Sequence, residues 1–217
     1  MNYLAGYHKK TIAIIFCLFM GTITIESRDF LLGKFIEVLQ TNNIKKVTNF
    51  IKQVHINVTT EDGYNLLHIA IDNKSISMSI IELLIENGIN VNLQSKDGYT
   101  PLHFAIATKS VQITSLLIQS GANLNLQTNE GLAPLHVAIV TGEIEIATLL
   151  IKAGAHVNIQ HEGISLLCFA IIFNSIKIVQ LLLDSNTNYR CTINDDLTAL
   201  DCCKTQEMYD LLKSKNF

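Results

Sequence analysis

The sequence predicts an all-α repeat solenoid, built of stacked helix-turn-helix units joined by short β-hairpin loops. Three stretches carry that expectation: Gly63-Tyr-Asn-Leu-Leu-His-Ile-Ala70, Gly98-Tyr-Thr-Pro-Leu-His-Phe-Ala105 and Gly131-Leu-Ala-Pro-Leu-His-Val-Ala138. A fourth, Gly163-Ile-Ser-Leu-Leu-Cys-Phe-Ala170, keeps their frame. The steps from glycine to glycine are 35, 33 and 32 residues, and a fixed period in that range marks stacked supersecondary units rather than one closed core. A second motif runs in phase with the first: Gly88-Ile-Asn-Val-Asn92, Gly121-Ala-Asn-Leu-Asn125 and Gly154-Ala-His-Val-Asn158, each preceded by Leu-Leu-Ile.

The unit from Lys96 to Thr128 shows the local physics. Asp97-Gly98 is a turn pair. Thr100 stands where an N-cap belongs, and Pro101 follows at the first helical position, where its missing N–H is no loss. Leu102, Ala105 and Ile106 then lie on one short apolar face, and the small Ala105 allows a neighbouring backbone close. A second helix is predicted from about Val111 to Ser120, with Ile113, Leu116 and Leu117 inward and Gly121 as the left-handed residue that stops it. Helices under roughly 12 residues are marginal alone in water, so stacking must stabilise them.

The pattern Thr-Pro-Leu-His-x-Ala at a step near 33 resembles the ankyrin repeat, over about Glu61 to Leu212. The isoleucine-, asparagine- and lysine-rich, tryptophan-free composition is similar to that of ankyrin proteins from intracellular bacteria or large DNA viruses. On this frame the chain divides into residues 1–28, a signal peptide or membrane anchor; 29–60, a diverged N-terminal repeat; four repeats over 61–191 (about 61–95, 96–128, 129–160 and 161–191); and 192–217, a degenerate C-terminal capping repeat. The diverged repeat is read from two helical stripes, Phe35, Val38 and Leu39, then Ile44, Val47 and Ile51. The capping unit keeps Thr198-Ala-Leu-Asp-Cys-Cys203 at the helix start, with Asp196 in the glycine position.

Departures from the repeat locate strain. His68 to Leu83 is 15 steps where His103 to Leu116 and His136 to Leu149 are 13, so the loop around Asn73 to Ser77 is expected to bulge. The hairpin between the third and fourth repeats is one residue short. Asn186 replaces a helix-stopping glycine, a swap that asparagine tolerates better than most residues.

Outside the repeats, His8-Lys9-Lys10 precedes an apolar run from Thr11 to Ile25, about 15 residues long. That is below the roughly 20 that span a bilayer and near the length of a signal-peptide core. Export after cleavage is the leading expectation; an uncleaved anchor and an apolar extension packed on the first repeat are the alternatives. Cys168, Cys191, Cys202 and Cys203 form no C-x-x-C arrangement and no dense disulfide framework. They are expected to be buried small hydrophobes, Cys168 in the histidine slot and Cys203 in an alanine slot. A Cys168 to Cys203 bridge would have to cross helices whose axes lie roughly 8–10 Å apart. The sequons at Asn57 and Asn73 matter only in a glycosylating pathway.

No catalytic, cofactor-binding or metal-binding constellation stands out. His68, His103 and His136 recur, but equivalent positions in a stack lie roughly 10 Å apart, too far to share an ion that sits about 2 Å from each ligand. No phosphate loop, nucleophile elbow or metalloprotease helix appears, so no enzyme is expected. A net charge of −3 with scattered basic residues argues against a nucleic-acid partner. The ankyrin resemblance implies a protein partner, gripped by hairpin tips and the ends of first helices, and a histidine that bonds around the helix start and between hairpins. Mapped onto this chain, the tips are Tyr64, Tyr99, Leu132 and Ile164. The helix ends are Ala107 and Thr108, Val140 and Thr141, then Ile172 and Phe173. A monomeric interaction scaffold is therefore expected, touching membrane only if its N-terminal segment stays attached.

Overall fold

The structure, a computed structural model, describes residues 25–73, 75–185, 187, 192–193 and 197–215. Eleven helices and two short two-stranded sheets lie among the described residues. The chain divides into two compact units, Met1–Ser95 and Lys96–Phe217.

In the first unit α1 (Ile25–Gln40) and α2 (Ile44–Ile51) are followed by α3 (Leu66–Asp72) and α4 (Met78–Glu86). Helix α1 packs on α2 and α3, and α2 packs on α4. Phe35, Leu39, Val47 and Ile51 are buried as the two stripes predict, with the Phe35 and Phe50 rings 5.6 Å apart. Ile44 departs from its stripe and is exposed, because the first residue of α2, next to the Asn43 N-cap, projects past the end of the packed face. The long loop between α3 and α4 is present: the N-caps Asn65 and Ser77 are twelve positions apart where Thr100 and Ser110 are ten. Asn73 holds it, its side chain accepting from the Ser75 N–H at 3.1 Å, and Asn42 accepts from Ser77 N–H at 3.0 Å.

In the second unit the first helices α5 (Pro101–Ala107), α7 (Pro134–Thr141) and α9 (Leu166–Ile172) pack in one row. The second helices α6 (Val111–Gln119), α8 (Ile144–Lys152), α10 (Ile176–Leu183) and α11 (Gln206–Ser214) form another. Ala105, Ala138 and Ala170 are fully buried along the first row; their single methyl groups let adjacent helices approach. In α6 the inward residues are Thr114 and Leu117, while Ile113 and Leu116 are half-buried, since a helix flanked by neighbours on two sides shares its apolar surface between them.

Caps explain the helix limits. The side chains of Asn65, Thr100 and Ser165 each accept from the backbone N–H three residues on, and Pro101 and Pro134 take the first helical position. At the end of α6, Gly121 has φ 83°. Ala122 N–H bonds to Leu117 at 2.9 Å and Gly121 N–H to Ile118 at 3.1 Å, which closes a Schellman motif on orphan carbonyls. The phase-locked asparagine motif also has a physical role. Asn90 and Asn123 close Asx turns onto Asn92 and Asn125 N–H. One period apart, Asn57 accepts from Asn90 N–H at 2.9 Å and Asn125 from His156 N–H at 2.8 Å.

The short hairpin is β1 (Gln160–His161) paired antiparallel with β2 (Ile164–Ser165), His161 opposite Ile164. Its two turn residues, Glu162 and Gly163, have φ 50° and 78°, a type I′ pattern that matches strand twist. The hairpin at Thr128–Leu132 has one more turn residue, with Thr128 N–H on the Leu132 carbonyl at 2.9 Å and Gly131 N–H on Thr128 at 2.8 Å.

The last unit differs from its expected form. After β3 (Thr192–Ile193) and β4 (Leu197–Thr198), residues 199–202 make turns rather than a first helix, and α11 is capped by Thr205. Thr198 to Thr205 leaves seven positions where Thr100 to Ser110 has ten, too few for a helix plus the turn after it. Asn186, Cys191, Asp195 and Asp196 lie outside the described residues, as does the apolar segment before Ile25.

Candidate functional site

The recurring histidines are structural. Their Nδ1 atoms accept the N–H of the capping residue: Asn65 to His68 at 3.2 Å, Thr100 to His103 at 3.1 Å and Ala133 to His136 at 3.1 Å. In His103 that bond places the neutral ring proton on Nε2, whereas His68 Nδ1 also lies 2.8 Å from the Asn65 side-chain oxygen. In the second repeat His103 Nε2 donates it to the Leu132 carbonyl, 3.1 Å away in the next hairpin. Burial pulls the His103 pKa down to about 4, against the pull of that carbonyl. His136 is also lowered to about 4, by burial first and by neighbouring His161 second. A ring whose Nδ1 accepts a backbone N–H has no free Nε2 lone pair for a metal. Among the described residues no group of three or more His, Cys, Asp or Glu side chains is placed to hold an ion.

The surface residues expected to meet a partner divide into two sets. The tips are half-buried. Tyr64, in the first unit, stands edge-on to His68 at 5.5 Å. Tyr99 lies edge-on to His103 and Phe104 at 5.9 and 6.4 Å. Leu132 and Ile164 are partly covered within their hairpins. The helix ends are more open. Val140 is 49% and Phe173 44% exposed, and Ala107, one period before Val140, is exposed too. Phe173 rests on Phe169 with ring centroids 4.7 Å apart, and Ile172 is half-buried.

Polar groups fix this edge. Thr108 and Thr141 turn their hydroxyls back onto the Phe104 and Val137 carbonyls, each at 2.9 Å. Lys109 reaches the next repeat, 2.9 Å from Glu143 and 3.2 Å from the Thr141 carbonyl. Ile144 extends the apolar area at 37% exposure; its place at the start of a second helix kept it out of the helix-end series.

Cys168 corrects the expectation that the cysteines act only as buried small hydrophobes. It is fully buried, but it is disulfide-bonded, and its partner lies outside the described residues. Cys202 and Cys203 are free thiols, so no bridge joins Cys168 to Cys203. The Cys203 thiol pKa is raised by burial, then by Cys202 and Asp201, which disfavours the reactive thiolate. Among the described residues no helix is long and apolar enough to cross a membrane.

The residue missed from the sequence is His161. It stands opposite Ile164 as Thr128 stands opposite Leu132 in the preceding hairpin, and its ring lies 5.8 Å from that of His136.

The sequence matches a family model described as ankyrin repeats (three copies), over residues 35–128, 77–161 and 112–195. No curated protein matches the chain.

Proposed function

Since the chain belongs to the ankyrin-repeat family, a family of protein-interaction scaffolds that are generally not enzymes, we propose that it is exported and binds a protein through the first-helix ends of its second unit. The observation that carries this reading is the pair Val140 and Phe173, one period apart and about half exposed at 49% and 44%. Large apolar side chains in a row on a soluble surface mark partner sites more often than scattered ones, and aromatic anchors dominate binding energy. Tyr99, Leu132, Ile164 and Ile172 flank this edge as partly covered contributors, and Tyr64 supplies the equivalent tip in the first unit. The disulfide at Cys168 supports export, because such bonds persist in oxidising compartments.

Capture of proteins on immobilised full-length chain, beside a Val140→Ser/Phe173→Ser double variant, tests the surface. These side chains are exposed, so the variant is expected to keep its fold and lose the specific partner. Equal retention by both proteins would remove this edge from the assignment. The alternative of a membrane-tethered assembly protein rests on the apolar run Thr11–Ile25. The mass of the mature protein separates the two: loss of about 20–28 residues supports export, and a full-length, detergent-requiring protein supports the anchor.

A further inference from the structure

Charge is divided unequally along this chain. Residues 1–60 hold seven lysines and arginines against three carboxylates, and residues 61–217 hold nine against sixteen. An asymmetry of this kind points to a charged partner for the basic part. Three of the seven fall on or directly after one helix, α2. Lys45, Asn49 and Lys52 follow at i, i+4 and i+7, which sets them on one face, with Lys46 beside Lys45. All four are exposed, while Val47 and Ile51 turn the other way and are buried.

Two isoleucines lie close by in the first unit, Ile36 at 41% and Ile44 at 45% exposure. Only Thr41, Asn42 and Asn43 separate α1 from α2, so the two helices run antiparallel. Ile36 precedes the end of α1 by about one turn and Ile44 opens α2, which places both at the turn end of the helix pair, next to Lys45 and Lys46. The other polar groups of this end are occupied. The Thr41 hydroxyl donates to the Val38 carbonyl at 2.7 Å and the Thr48 hydroxyl to the Ile44 carbonyl at 2.8 Å. Asn43 accepts from Lys46 N–H at 3.2 Å and Asn42 from Ser77 N–H at 3.0 Å. The ammonium groups are left over. Among the described residues none of Lys45, Lys46 and Lys52 is ion-paired, and neither are the exposed carboxylates of the helices packed on α2, Glu37 on α1 and Glu82 and Glu86 on α4.

We propose that this end of the first unit docks on an anionic lipid surface, with Lys45, Lys46 and Lys52 at the headgroups and Ile36 and Ile44 in the acyl boundary. Charge complementarity carries the assignment. A lysine cluster is attracted by an anionic leaflet, and apolar side chains beside it add affinity once they enter the interface. The same leaflet repels the sixteen carboxylates that follow residue 60, which turns the basic part toward it. The aliphatic anchors separate lipid from nucleic acid, since single strands are held by stacking on aromatic rings and by arginine, and the described positions of this face carry neither. The inference goes beyond the protein partner and uses none of the residues assigned to it.

Co-sedimentation of the full-length chain with phosphatidylcholine vesicles, with and without about one-third phosphatidylserine, tests the surface at about 0.1 M salt. Association with the anionic vesicles is expected to exceed that with the neutral ones by about tenfold or more, and to fall as salt is raised to about 0.5 M. Lys45→Gln/Lys46→Gln is expected to weaken it by about 25-fold, roughly fivefold for each lysine. Ile36→Ser/Ile44→Ser is expected to weaken it by about fivefold or more. Circular dichroism checks that the variants are folded, and the salt titration needs no variant. Equal association with the two kinds of vesicle would trace binding to the apolar run before Ile25 and overturn the proposal. Salt-insensitive binding, an unchanged affinity in either folded variant, or tighter retention on single-stranded RNA would overturn it too.

Discussion

At the scale of single residues, two glycines with nearly equal dihedral angles do different work. Gly121 has φ 83° and Gly98 φ 82°. Around Gly121 a new Cβ meets nothing within 4 Å; at Gly98 it would lie 2.7 Å from Asn129 N and 2.8 Å from Thr128 Cα. Those atoms belong to the next hairpin, whose Asn129 bonds to the Asp97 carbonyl through its backbone N–H and to the Lys96 carbonyl through its side chain. Gly121→Ala is expected to cost about 1–2 kcal/mol from left-handed backbone strain alone. Gly98→Ala is expected to cost roughly twice that or more, because a backbone neighbour must also move. Denaturant unfolding of the two variants checks the order; equal costs would mean that the hairpins separate easily.

At the scale of elements, the third repeat begins with the weakest cap. Its N-cap, Ala133, has no side-chain acceptor, where Asn65, Thr100 and Ser165 fill the same position in the other repeats. Ala133→Ser is expected to stabilise the protein by about 1 kcal/mol, measured as a higher midpoint of thermal or denaturant unfolding. A neutral or negative effect would show that the site is too closely packed for the hydroxyl. The helix starts were legible in the sequence because Thr100-Pro101 and Ser165 are local signals. The missing first helix of the last unit was hidden by its frame: Thr198-Ala-Leu imitates a helix start, but length to the next cap decides, and seven positions cannot hold what ten do elsewhere.

At the scale of the molecule, a covalent link adds to the repeat packing. Cys168 stands in the slot where histidine reaches the next hairpin, and it is disulfide-bonded. Alkylation of the denatured chain before and after reduction is expected to show two additional thiols after reduction, with Cys202 and Cys203 modified in both cases. No increase on reduction would remove the bridge and, with it, this support for export. The candidate edge is also a property of this scale. The repeat frame located Val140 and Phe173, but the same frame listed Tyr99 and Leu132 beside them, and only packing against His103 and within the hairpin separates covered tips from open helix ends.

Short-range chemistry was sufficient for the architecture: phase-locked glycines, caps and apolar stripes act over a few residues, and their repetition at steps of 35, 33 and 32 makes stacking the way to bury them. The tertiary structure alone decided the bond at Cys168, the meeting of His136 with His161, and which apolar side chains stay in water. Each of these depends on residues tens of positions apart, whose approach is set by how one repeat packs on the next.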